Sequence, residues 1–214
     1  MSVTETISNR IRRMRKGQPF AGSLFLNAGS RASVDKALSR MVQAGTLERV
    51  IRGVYMRPKE SRVLGRVRPS PSRVVEAITK AKQEVIQIHG AEAVRRLGLS
   101  TQMQVQTVYY TSGSTREIRV GSAVIRLRHV SNDRLQAAGT PVGVALTALH
   151  YLGREEASEA ATARVLLSLS REEISKLRAC RMPEWMRSAL SQALKDVECK
   201  SPTSIYPQKN SAIS

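Results

Sequence analysis

The residues best placed to do chemistry lie between Ser30 and Pro58, in SRASVDKALSRMVQAGTLERVIRGVYMRP. Val34, Ala37, Leu38, Met41 and Val42 recur at helical spacing and share one stripe. Lys36, Ser39 and Arg40 then project from the opposite face, with Arg31 and Ser33 at its start. Ser30 or Ser33 can cap this helix, and Gly45 stands where a left-handed residue closes one. TLERVI and VYM read as two short strands, turned by Arg52-Gly53 and carrying Arg49 and Arg52. Guanidinium groups grip phosphate and the major-groove edge of guanine, while small hydroxyls let a helix approach a base pair closely. A helix with a small, cationic face followed by a basic hairpin is the arrangement a winged helix-turn-helix presents to DNA.

Other chemistry is poorly represented. The sequence has no phosphate-binding G-x-x-x-x-G-K-[ST], no G-x-G-x-x-G, no H-E-x-x-H and no G-x-S-x-G. His89, His129 and His150 stand apart from one another and from other ligand types. Gly29-Ser30 with Asp35 resembles the start of a nucleotidyltransferase motif, but the second carboxylate needed to hold paired metal ions does not follow. Glu155-Glu156 and Glu172-Glu173 read as solvated helix starts, and Ser112–Ser114 as a hairpin tip. Cys180 and Cys199 lack metal-ligand spacing and read as two reduced thiols. The expectation is a protein that is not an enzyme and needs no cofactor or metal.

Charge narrows the partner. The 214 residues include 35 Lys and Arg against 17 Asp and Glu, a formal net charge of +18. Residues 1–60 carry 12 basic and 4 acidic side chains and residues 61–131 the same, whereas 132–214 carry 11 and 9. A cationic first two-thirds suggests a polyanion, because each Lys or Arg set against a phosphate releases a condensed counterion. Aromatic residues make up only 4% of the chain, too few for a base-stacking single-strand binder. No apolar run of about 18 residues suggests a membrane span, and a cytoplasmic location is expected.

These residues must be held by a fold, and the expected class is α+β. The spacing of Val3, Ile7, Ile11 and Met14 predicts a helix over residues 3–16. Arg12, Arg13, Arg15 and Lys16 at its end could complement the helix dipole or touch phosphate. A second helix over 21–27 and the turn Ala28-Gly29 complete the order helix, helix, turn, helix, hairpin. Residues 1–60 are therefore read as a winged helix-turn-helix domain and 61–72, rich in Pro, Ser, Gly and Arg, as a linker. Residues 73–200 form the second domain: a helix at 74–83 capped by Ser70 or Ser72, a strand at 85–88, a helix at 91–97, strands at 105–111, 117–120 and 123–130, then helices to 197. Its three later strands suggest a small antiparallel sheet. Arg126 and Arg128 share one face of it by alternation, and with Arg116 and Arg119 give a secondary basic face. That face either merely solvates the sheet or extends the nucleic-acid footprint. Residues 201–214, polar and containing Pro, are expected to be disordered.

The winged-helix segment, with GAEAVRRLGLSTQMQVQTVYYTSGSTREIRVGSAVIRLRHV beyond it, resembles the AbiEi-like antitoxin family of type IV abortive-infection toxin–antitoxin systems. The resemblance covers about residues 5–131. It implies an autorepressor whose N-terminal domain binds inverted repeats in its own promoter. It also implies an antitoxin that counters a nucleotidyltransferase-like toxin. By that resemblance Arg31, Ser33, Lys36, Arg40, Arg49, Arg52 and Tyr55 match the recognition helix and wing, although Tyr55 could instead pack behind the wing. Met41 stands where many relatives have Leu, a volume-conserving change. The alternative is a stand-alone winged-helix regulator whose second domain senses a ligand or dimerises. A third reading, a nucleic-acid-processing enzyme with a winged-helix targeting domain, lacks a catalytic constellation.

Overall fold

The computed structural model describes residues 2–63 and 65–200, with backbone alone for 197–200, and has an α+β architecture. The expectation for 201–214 falls outside the described residues. The chain divides into two compact units, one from Met1–His89 with Gln104–Gly139, the other from Gly90–Met103 with Thr140–Ser214. This division differs from the expected domains at 1–60 and 73–200.

In the first unit, α1 (Val3–Arg12) begins at a reciprocal cap between Ser2 and Glu5. It ends earlier than the expected residue 16. Arg57 donates hydrogen bonds at 2.7 Å to the carbonyls of both Arg12 and Met14, taking oxygens a continuing helix would use. β1 (Pro19–Ala21) leads into a 3-10 helix (Gly22–Ala28) and then α2 (Arg31–Gln43). Ser30 Oγ accepts the Ser33 amide at the start of α2. At its end Gly45 takes φ +70°, and the amides of Thr46 and Gly45 donate to Met41 and Val42, satisfying carbonyls left open by the last turn.

β2 (Glu48–Ile51) and β3 (Val54–Met56) form a hairpin, and β1 pairs with the other edge of β3, giving an antiparallel sheet in the order β1-β3-β2. Gly53 has φ +79°, as the third position of such a tight turn demands. Ile7, Phe25, Val34 and Leu38 are almost wholly buried between α1, the 3-10 helix and α2, and Phe20 meets Phe25 edge-on at 5.7 Å.

The expected linker contains a second hairpin, β4 (Glu60–Ser61) with β5 (Gly65–Arg66). α3 (Pro71–Ala81) follows, one face against β1 and β3 and the other against a four-stranded sheet. That sheet comprises β6 (Ile86–Ile88), β7 (Thr107–Thr111), β8 (Arg116–Val120) and β9 (Ala123–His129), in the order β6-β7-β9-β8. Val75 of α3 packs with Ile118, Ile125 and Leu127 from the sheet, and Ile51 of β2 joins the same cluster. This shared apolar contact makes one unit of what composition divides.

The small antiparallel sheet expected here is corrected: β6–β7 and β8–β9 pair antiparallel, but β9 lies parallel to β7. Ser112–Ser114 is accordingly not a hairpin tip. It carries the chain from β7 past the end of β9 to β8, where Gly113 O meets His129 Nδ1 at 2.8 Å and Thr115 Oγ1 accepts the His129 amide. The tight hairpin is at Gly121-Ser122, between β8 and β9.

The second unit is helical: α4 (Gly90–Arg96), α5 (Pro141–Glu156), α6 (Glu159–Leu167), α7 (Arg171–Ala179) and α8 (Glu184–Lys200). Leu146, Leu149, Val165, Leu177, Met186 and Leu190 form its core. Gly90 lies so close to Tyr151 that a Cβ there would collide with the tyrosine. Glu172 and Glu173 lie in the first turn of α7, but Glu155 and Glu156 close α5 beyond a kink at Gly153, so they are not a helix start. Cys180 is a buried free thiol that donates to Lys176 O at 3.4 Å, and burial raises its pKa; the side chain of Cys199 lies outside the described residues. Among the described residues no helix is long and apolar enough to cross a membrane.

Candidate nucleic-acid interface

The alternation of buried and exposed positions along α2 sets out a polar face. Val34, Ala37, Leu38 and Met41 turn inward, and Arg31, Ser33, Lys36, Ser39 and Arg40 are all exposed. Asp35 is the acidic residue on this surface, 3.9 Å from Arg31 with both side chains largely solvated, so the pair neutralises little. Lys36, Arg40, Arg49 and Arg52 have no carboxylate partner among the described residues.

The hairpin turn brings Arg52 beside the start of α2. Arg31, Asp35, Arg52 and Gly53 line one groove of about 400 Å³, and Lys82, just beyond α3, lines it with them. Arg49 is exposed on β2. Tyr55 is only 8% exposed and its ring lies 6.2 Å from that of Phe20, so it belongs to the core behind the hairpin. Lys82 carries no local signal in the sequence; only the packing of α3 on β1 delivers it to this groove.

The other cations near α1 divide by role. Arg10 stacks over Phe25 at 5.4 Å and donates to Leu24 O, and Arg57 caps α1, so both are structural. Arg13, Arg15 and Lys16 are exposed beyond the helix end, and Arg13 and Arg15 line a groove of about 520 Å³ with Lys80 of α3. The hairpin at 60–66 adds exposed Arg62 and Arg66, followed by Arg68. The alternation R-V-L-G-R-V-R around Gly65 was its available sequence signal, outweighed by the Pro and Ser that flank it.

The secondary basic face contains three of the four expected arginines. Arg119, Arg126 and Arg128 are exposed and share one side of the four-stranded sheet. Arg116 is on the other side, opposite Leu127, where it pairs with Glu84 at 2.6 Å. Glu117 stands opposite Arg126 and dilutes the face. One end of this side is closed by apolar packing: Tyr110 is buried with Val130 and Leu135, and Arg134 lies 5.2 Å over its ring. His89 packs beside Tyr110, with Nδ1 2.7 Å from the Gln104 amide. Burial, then the charges of Arg128 and Arg134, lower its pKa, which favours neutral imidazole. Among the described residues no cluster of His, Cys, Asp and Glu is placed to hold a metal ion.

The chain is similar to a solved structure, the RV2827C protein from Mycobacterium tuberculosis, at 13% identity and a TM-score of 0.42, over 90% of this chain and 76% of that one. No curated protein matches the sequence. A family profile described as "Family of unknown function (DUF6088)" matches residues 6–177, most of the chain, and the chain belongs to that family.

Proposed function

We propose that this protein is a sequence-specific, double-stranded-DNA-binding autorepressor and the antitoxin of a toxin–antitoxin pair. The order α1, β1, 3-10 helix, α2, β2, β3 supports reading residues 1–60 as a winged helix-turn-helix, with α2 as recognition helix and the β2–β3 hairpin as wing. The observation that carries the DNA reading is the meeting of Arg31, Arg52 and Lys82 along one groove beside the exposed face of α2. On this reading Arg31, Ser33, Lys36, Ser39 and Arg40 enter or border the major groove, and Arg49 and Arg52 ride the backbone. Arg31 and Arg40 are the candidates for guanine edges, where loss of a bidentate contact costs about 1–3 kcal/mol.

Selection of duplexes from a randomised pool, followed by binding of the purified chain to the winners, tests the reading. Enrichment of an inverted repeat, with Arg31→Ala and Arg40→Ala each relaxing the preference, is the expected result. Absence of any enriched sequence at low salt rejects it. The antitoxin role rests on the resemblance of residues 30–58 and 90–130 to the AbiEi-like family. Co-expression with the product of an adjacent nucleotidyltransferase-like gene tests it, relief of growth arrest being expected. Failure to relieve the arrest leaves a stand-alone regulator.

A further inference from the structure

We propose that the hairpin spanning residues 59–68 is a second DNA-contacting arm, one that reads the minor groove beside the recognition helix's site. The inference rests on the DNA-binding reading and adds an element to it.

Lys59, Arg62, Arg66 and Arg68 fall within ten residues that contain one acid, Glu60. The segment is ordered by pairing, not by burial. Glu60 and Ser61 register with Arg66 and Gly65, and the Val67 amide donates to Lys59 O at 2.9 Å. Gly65 takes φ +62° with open space around it, which sharpens the turn. At that turn Val63 is 91% exposed, so it contributes almost nothing to a core. Arg66 Nε meets Glu48 Oε2 at 3.0 Å, and the Glu48 side chain is only 17% exposed. This contact ties the arm to β2, the strand that runs up to Arg52.

An anchored basic hairpin with a solvated aliphatic tip is poorly explained as a solubilising loop, since Val63 gains nothing from water. It suits the minor groove. That groove is about 6 Å wide, too narrow for a β-ribbon but open to single side chains. A-tracts narrow it further and deepen its negative potential, which draws arginine, and aliphatic side chains contact its walls or wedge between base steps. Arg62 and Val63 are the groove-entering pair, and Lys59 and Arg68, at the base of the hairpin, face phosphates on either side.

The test uses the full chain and the duplex enriched from the randomised pool, re-made with an A·T tract flanking each end. A second copy carries 2,6-diaminopurine for adenine in those flanks alone. This adds the minor-groove amino group of a G·C pair and leaves the major-groove acceptors of the core untouched. Wild type should bind the modified duplex about fivefold more weakly. The triple variant Arg62→Ala, Val63→Ser, Arg68→Ala should bind the unmodified duplex about tenfold more weakly, with a slope of log K against log salt smaller by about 0.9 for the phosphate contact of Arg68. It should ignore the added amino groups. Its thermal midpoint should match wild type, because all three side chains are exposed. A variant that binds and discriminates as wild type does, while Arg40→Ala still relaxes core preference, overturns the arm and leaves the recognition helix standing. A wild-type chain that enriches no duplex overturns both.

Discussion

On the proposed DNA-binding reading, the arginines of the β2–β3 hairpin offer a test whose size follows from counterion release. Arg49 and Arg52 are exposed and carry no carboxylate partner among the described residues. If each faces one phosphate, each contributes about 0.9 to the slope of log K against log salt. Between 50 and 200 mM salt, a fourfold change, one contact is worth a factor of about 3.5 and two a factor of about 12. The double variant Arg49→Ala, Arg52→Ala should therefore show a ratio of affinities at those two salts about twelvefold smaller than wild type, with its ranking of sequences unchanged. Arg40→Ala should behave oppositely, losing about 1–3 kcal/mol on the best sequence and little on poor ones. Arg57→Ala is the internal control. It removes a cation that spends its hydrogen bonds on Arg12 O and Met14 O, so it should lower folding stability by about 1.5–3 kcal/mol and leave the salt slope alone. Fluorescence anisotropy on a labelled duplex across a salt series measures binding by all three, and urea denaturation measures the stability of Arg57→Ala. If the wing double variant changes sequence preference while Arg40→Ala changes only the slope, the assigned roles are reversed.

Leu38→Ala should lower stability by about 2–5 kcal/mol, since Leu38 is fully buried between α1, the 3-10 helix and β3; a urea midpoint unchanged within error would refute the packing. Glu92 accepts hydrogen bonds from Arg95, which together with Arg96 holds its pKa at about 2, well below the ordinary carboxylate range. A carboxylate depressed in the folded state contributes stability present above its unfolded pKa and lost as pH falls through about 4.5 to 2; Glu92→Gln should flatten that part of a stability–pH curve, modestly because the site is solvated. A fragment of residues 1–60 should melt below the full chain, because α3 no longer covers β1 and β3, at about 1.5–3 kcal/mol for each apolar side chain re-exposed. Equal melting of the two would mean that the first three strands need no cover.

What the sequence displays well is local. The α2 stripe, its Ser30 cap and its Gly45 stop each need only neighbours within a turn or two, and each stands where the spacing puts it. The same holds for the exposure of Lys36, Ser39 and Arg40, which follows from helical phase alone. Errors enter where a competing group comes from far along the chain. α1 stops at Arg12 because Arg57, 45 residues away, takes its carbonyl. Arg116 leaves the basic face because strand phase puts it opposite Leu127 and beside Glu84, 32 residues earlier. Alternation links Arg126 to Arg128 within one strand, but it cannot say which face a residue of another strand shares.

The boundary at 61–72 shows the same limit for whole units. Pro, Ser and Gly mark a chain that is not helical, and they do so correctly for 67–70. They say nothing of the hydrogen bonds that make a hairpin of 60–66, nor of Val74 and Val75, both fully buried just beyond. Those valines belong to α3, which begins at Pro71 inside the supposed linker and has one face on β1 and β3 and another on the four-stranded sheet, so the apolar contact that defines the unit starts where composition suggested a break. The consequence reaches the candidate interface. Lys82 stands in the groove with Arg31 and Arg52 only because α3 is packed there, so the cationic surface is assembled from both sides of the supposed linker. A domain cut at residue 60 would remove cover from the sheet and, with it, one of the three cations that meet at the start of α2.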